Sequence, residues 1–246
     1  MGKDLATDIA TDIAPDLATD LAPGGWRNSV TGLVEYWRWG YGETLIGGNL
    51  DSWTGQVSGD LLTAPSAPQR PTPGAKGWTF VPANSTVVYG AASAVLSAVS
   101  GAAAHTAIVT ISPGASVDDC PWMFCDPSSD SVQTNLYQSS GTSWVYRRRS
   151  GTIQALNFTG PSSGLAVVAV TYDGTNGRVY LDGSLVAGPT AQSHAPAVTR
   201  VSLGAAEDLN PGSYWTGDVH DFMVCDSALD AAEISTISTQ LLAEYA

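Results

Sequence analysis

The chain has 246 residues, 43% of them apolar and only 13% charged, with 26 glycines and 14 prolines, a balance that fills a substantial core and suits many short strands joined by turns. Its formal charge of −13 repels phosphate backbones and anionic lipid surfaces, which argues against nucleic acid or a membrane surface as a partner. No apolar run approaches the length of a membrane span, so no membrane insertion is expected.

The first 23 residues carry five tetrapeptides, from Asp4-Leu5-Ala6-Thr7 to Asp20-Leu21-Ala22-Pro23. Wound as a helix, the repeat overshoots the 3.6 period by about 40° each time and meets Pro15. Extended, it sets Leu or Ile with Thr or Pro on one face and Asp with Ala on the other. Its composition fits either an acidic tail without structure or an arm that takes its shape on a partner surface. In the second case Leu5, Ile9, Ile13, Leu17 and Leu21 are the anchoring residues. Met1-Gly2-Lys3-Asp4 leads into aspartates rather than an apolar signal region, and Ala6 breaks the myristoylation pattern, so synthesis and assembly in a cytosol are expected.

Pro23-Gly24-Gly25 reads as a hinge, giving an arm at 1–25 and one globular body at 26–246. Predicted strands follow at 30–37, 77–81, 106–111, 143–148, 152–158, 165–172, 177–182, 199–203 and 219–225, and strands at such spacing indicate an all-β, two-sheet antiparallel sandwich. The run from Ala91 to Ala104 favours loop and strand over helix. Asp173-Gly174-Thr175-Asn176-Gly177 and Asp182-Gly183 are tight turns between β-branched runs. Arg147-Arg148-Arg149 is expected to be a solvated or ion-paired cluster, with contact to an acidic partner as the alternative. At the C-terminus, Ile234, Ile237, Leu241 and Tyr245 keep helical spacing behind Asp230 and Glu233, which form a capping-box pattern.

Cys225 reads as a buried thiol in an apolar strand. Cys120 and Cys125 either close a small ring or stay free, and the sequence leaves both open. His105, His194 and His220 are scattered, none with a cysteine or histidine at ligand spacing, so no metal site is expected. The glutamates show no Glu-x-Asp-x-x-Glu strand of the kind a retaining glycosidase needs, and no Gly-x-Ser-x-Gly elbow or Cys/His pair is visible, so the chain is expected not to be an enzyme. Flat aromatic faces that can stack on pyranose rings are the one sugar-binding signal. Trp122, Trp144, Tyr146, Tyr214 and Trp215 are the candidates, with core packing as the other reading for each. Trp26, Trp37, Trp39 and Trp53 are assigned to packing near the start of the body.

Tyr172-Asp173-Gly174, Val179-Tyr180-Leu181-Asp182-Gly183, Leu203-Gly204, Gly217-Asp218-Val219, Asp221-Phe222-Met223-Val224 and Ala228-Leu229 with Glu233-Ile234 resemble the laminin G-like or concanavalin A-like jelly roll over the last 80 residues. Trp53-Thr54-Gly55, Leu61-Leu62-Thr63 and Gln69-Arg70-Pro71 look like the early region of such domains in bacteriophage and bacterial proteins. The resemblance implies a fold whose members bind glycans or proteins or hydrolyse polysaccharides. It also admits calcium at a loop rim, for which Asp118-Asp119 and Glu207-Asp208 are the candidates, against a solvated acidic loop; no cofactor is expected. The leading expectation is a non-enzymatic virion structural protein: a bacteriophage decoration, fibre or tail appendage in the virion, held to other virion proteins through residues 1–25. A homo-oligomer is expected, a trimer suiting a fibre or threefold site, with weak adhesion to a host-surface glycan. The alternative is a carbohydrate-binding, lectin-like module of a bacterial surface or secreted protein, and a polysaccharide hydrolase ranks below both.

Overall fold

The computed structural model of the protein describes residues 26–114, 119–208 and 211–246. The arm at 1–25, with Leu5, Ile9, Ile13, Leu17 and Leu21, lies outside the described residues, as does Asp118. After a 3-10 turn at Trp26–Ser29, the chain forms β1 (Leu33–Arg38), β2 (Glu43–Ile46), β3 (Asn49–Thr54), β4 (Leu61–Thr63), β5 (Thr72–Pro73), β6 (Trp78–Phe80) and β7 (Val88–Gly90). Helix α1 (Ser93–Val99) precedes β8 (His105–Pro113), β9 (Asp119–Asp126), β10 (Ser129–Ser140), β11 (Ser143–Ser150) and β12 (Thr152–Thr159). Then come β13 (Ala166–Tyr172), β14 (Asn176–Leu181), β15 (Ser184–Ala191), β16 (Arg200–Leu203), β17 (Gly217–Cys225) and helix α2 (Ala231–Tyr245).

Two antiparallel sheets face each other. The back sheet runs β15-β14-β13-β8-β17-β6-β5, with β1 also paired to β17, and the front sheet runs β12-β11-β10-β9-β16-β7-β4-β3-β2. This is the two-sheet sandwich the sequence predicts, and each predicted strand is present with its ends shifted by a few residues at most. Between the sheets lies one cluster that includes Trp37, Trp53, Trp78, Trp122, Trp144 and Phe222. The back sheet is covered on its other side as well: Ile108, Val167, Ala169 and Met223 point outward and pack on Ile234, Ile237 and Leu241 of α2. Hence the apolar run Ala166–Val170 in β13, every residue of which is buried.

Helix α2 begins as its sequence prescribes. The Asp230 carboxylate accepts from the amides of Ala232 and Glu233, and Glu233 Oε2 accepts in return from the Asp230 amide, a reciprocal cap that contributes about 1 kcal/mol. Its far end is tied down by charge. Arg27 Nη2 lies 2.7 Å from Glu244 Oε2 and 3.5 Å from Asp221 Oδ2, Arg38 reaches Glu244 at 3.6 Å, and the Tyr245 hydroxyl donates to Asp221 at 2.9 Å. Burial pushes the Asp221 carboxyl up to about 7 despite the pull of Arg27.

The run at Ala91–Ala104 departs from expectation, because Ser93–Val99 is helical. The cause lies outside the run: the Asp60 carboxylate accepts from the Ala94 and Val95 amides at 3.0 and 3.2 Å, while Val95, Ala98 and Val99 enter the core. Strands within 43–63 and 119–140, and the edge strand at 184–191, were likewise not among the predicted ones.

Arg148 corrects the reading of the basic triplet as a surface cluster. Its side chain is fully buried between the sheets, and it donates to the carbonyls of His194 and Gly101 and stacks 3.8 Å above the Tyr172 ring. His105 Nδ1 is 2.9 Å from the Ala103 carbonyl and so carries the proton, which leaves Nε2 facing Arg148 Nη1 at 3.4 Å as an acceptor. Burial, with the Arg148 charge adding to it, pushes His105 down to about 3. At the opposite flank, Glu43 of β2 accepts from the Gly40 amide and from Trp78 Nε1 on the back sheet, both at 2.7 Å. Burial pushes its carboxyl up to about 7.

The sign of that shift sets a test. An unfolded glutamate ionises near pH 4.3, so between about pH 4.3 and 7 the folded chain keeps a proton the unfolded chain has released, and the stabilisation is lost as pH rises through 7. Glu43→Gln, which mimics the protonated form, is expected to match the parent in urea unfolding at about pH 4 and to exceed it by about 1–2 kcal/mol at about pH 8. An equal pH dependence in the two proteins shows that Glu43 is ionised throughout that range.

Candidate functional site on the front sheet

Because α2 covers the back sheet, the front sheet's outer face is the broad strand surface left for a partner. Side chains alternate along each strand, and cross-strand partners share a face, so register fixes what this face carries. Trp122, Leu136, Tyr146 and Leu156 are register partners that all point inward. One residue along, the row Thr44, Ser52, Thr63, Tyr89, Ser202, Met123, Asn135, Arg147 and Ala155 points outward across the whole sheet. The next outward row contains Arg200, Cys125, Gln133, Arg149 and Ile153.

The sugar-stacking candidates are corrected by the same alternation. Trp122, Trp144, Tyr146 and Trp215 are at most 1% exposed. Trp144 packs on Trp215 at 5.8 Å and Trp122 on Phe124 at 5.0 Å, so their ring faces are spent on the core. Tyr214 is half-buried and sits beside Cys120 in a short parallel bridge. The aromatic residues that do face outward are Tyr89 and Tyr137, both half-buried and each under a guanidinium: Arg200 lies 4.4 Å from the Tyr89 ring centre and Arg147 3.9 Å from that of Tyr137. Parity along Ser143–Ser150 was the signal for this choice, since Arg147 alternates with Tyr146 and Arg148.

The segments 204–208 and 211–216 lie as a ridge over the middle of the face. Cys120 N donates to the Ser213 carbonyl, Ser202 Oγ to that of Ala205, Cys125 Sγ to that of Glu207, and Gln133 Nε2 reaches Asp208 Oδ2 at 3.4 Å. Asn135, Met123 and Cys125 are buried beneath it. Gly204 makes the ridge possible: its φ is +89°, and a Cβ there would stand 2.0 Å from the Phe80 ring. Tyr89 and Arg147 flank the ridge four strand spacings apart, about 19 Å.

Of the candidate calcium pairs, Glu207 faces Arg200 at 3.7 Å, and Asp119 Oδ2 accepts from the Thr216 amide. Among the described residues no group of three or more His, Cys, Asp and Glu side chains is arranged to hold a metal ion. Cys120 and Cys125 are free and buried on one extended strand, five residues and about 16 Å apart, so they cannot bridge each other. Burial pushes the Cys125 and Cys225 thiols up to about 12 and Cys120 well above its usual value. The native protein is therefore expected to leave a thiol reagent such as dithionitrobenzoate unconsumed at pH 8 and to take up three equivalents once unfolded in guanidinium. Uptake of only one equivalent after unfolding reveals a disulfide.

A family model for the concanavalin A-like lectin/glucanases superfamily matches residues 89–235. Among solved structures, the carbohydrate-binding module CBM40 of the Ruminococcus gnavus IT-sialidase, bound to alpha2,3 sialyllactose, superposes with a TM-score of 0.51 at 13% identity, over 60% of this chain and 88% of that one. A point mutant of the NanB sialidase from Streptococcus pneumoniae gives 0.55 at 12% identity, over 64% of this chain and 27% of the sialidase. No curated protein sequence matches the chain.

Proposed function

We propose that this chain, which belongs to the concanavalin A-like lectin/glucanase superfamily, is a non-enzymatic carbohydrate-binding module that meets its glycan on the outer face of the front sheet. The observation that carries the reading is the pair of arginine–tyrosine contacts standing on the front sheet's outer face, one on each side of the ridge. Each contact presents a guanidinium over a phenol ring, which suits a ring with apolar faces and a rim of hydroxyls. The likeness of fold to a sugar-bound carbohydrate-binding module supports the same choice.

The absence of catalysis is inferred from how the carboxylates are used. Glu35 is buried and accepts from the amides of Tyr36, Val57, Ser58 and Asp60 and from the Ser58 hydroxyl, which pins the loop at 55–60. Glu43 ties the two sheets, Asp221 and Glu244 hold the arginines under α2, and Glu207 faces Arg200. A virion appendage remains compatible with this fold, but that reading rests on residues 1–25, and the front face favours a glycan partner directly.

Screening the full chain on a glycan array, followed by calorimetry on the strongest hit, tests the reading. Tyr89→Ala or Tyr137→Ala is expected to weaken binding about tenfold while leaving the melting temperature within a few degrees, since a lost ring stack costs on the order of 1 kcal/mol. Binding untouched by both substitutions, or no glycan retained at all, overturns it.

A further inference from the structure

Resting on the glycan-binding reading, we infer that the Arg147 side of the ridge selects a carboxylate-bearing sugar. Among the described residues, the cations of this acidic chain are largely committed. Arg27 and Arg38 pair with Asp221 and Glu244, Arg70 with Asp51 at 2.6 Å, and Arg178 with Asp173 at 2.8 Å. Lys76 donates to the Ala246 carbonyl, and Arg148 is sealed inside.

The two stacks on the front face differ in this respect. Arg200 has Glu207 Oε2 at 3.7 Å and the Glu207 carbonyl at 3.5 Å. Arg147 meets the Tyr137 ring, and no hydrogen bond or ion pair engages its guanidinium among the described residues. Its register neighbours, Asn135 and Ala155, carry no charge. Arg149, two residues along on the same face and about 7 Å away, donates to the carbonyls of Gly151 and Asp130 and has no carboxylate partner there. Beside Arg147, Asn135 is 98% buried, and its Oδ1 has no hydrogen-bond partner while its Nδ2 donates to Gln133 Oε1.

A guanidinium held 3.9 Å over a ring, with no carboxylate in ion-pair contact among the described residues, is preorganised for the two-pronged contact that a carboxylate accepts. The carboxylates on that side are Asp208, which reaches Gln133 at 3.4 Å, and Asp119, which accepts from the Thr216 amide. A neutral sugar would leave the Arg147 donor edge to water, whereas a uronate or sialic-type carboxylate would engage it.

Calorimetry on the full chain with matched probes tests this: alpha2,3-sialyllactose against lactose, and trigalacturonate against its methyl ester. At least one acidic probe is expected to bind ten or more times tighter than its neutral counterpart, with the margin shrinking as salt is raised. Arg147→Met is expected to abolish the margin, Arg147→Lys to keep part of it, and Arg178→Met, on the back sheet beside Asp173, to leave it in place, with each variant's melting temperature measured alongside. Equal binding of acidic and neutral probes, or a margin that survives Arg147→Met, overturns the carboxylate preference and leaves glycan binding standing. Binding to no sugar on the array overturns both.

Discussion

A side chain on a paired strand has two directions available, and pairing transmits the choice from one strand to the next. In the front sheet this constraint acts across nine strands. Once Trp122 and Leu136 face inward, Tyr146 and Leu156 follow by register, and Met123, Asn135, Arg147 and Ala155 must face outward. The core and the candidate site are therefore two outputs of one decision. A slip of a single residue in β11 would carry Arg147 inward and Trp144, Tyr146 and Arg148 outward, exchanging a buried aromatic layer for a charge.

Polar groups inside the sandwich follow the same logic of placement. Arg148 on one flank and Glu43 on the other each reach across from the front sheet to the back, and each is supplied with backbone or ring partners rather than an opposite charge. The guanidinium meets carbonyl oxygens and the Tyr172 ring, and the neighbouring His105 stays neutral. The carboxyl at the other flank meets an amide and an indole N–H. These contacts help fix how the sheets are aligned, because each donor and acceptor has a direction that apolar packing lacks.

The features legible in the sequence are those written over short spans. Turn glycines and β-branched runs located β13, β14, β16 and β17, and Asp230 with Glu233 located the start of α2. Features closed over long separations were not legible. Asp60 caps α1 from more than thirty residues upstream, so the alanine-rich run gave no local sign of its helix. Strands β9 and β10 mix proline, polar residues and thiols because their outer side lies under the ridge of 204–208 and 211–216, which obscures the usual contrast between a wet face and a dry one. The triplet Arg147-Arg148-Arg149 looked uniform, yet alternation divides it into an inward member and two outward ones. The aromatic candidates failed for a related reason: abundance in strands marks core, whereas surface rings are recognised only once the parity of the strand is known.

The Arg27–Glu244 bond spans almost the whole described chain. Trp26, which also donates to Glu244, and Tyr245 meet on the side that α2 covers, behind the sandwich. Loss of that one ion pair would therefore loosen the start of the described body and the end of α2 together, while the register of the front sheet stays as it is.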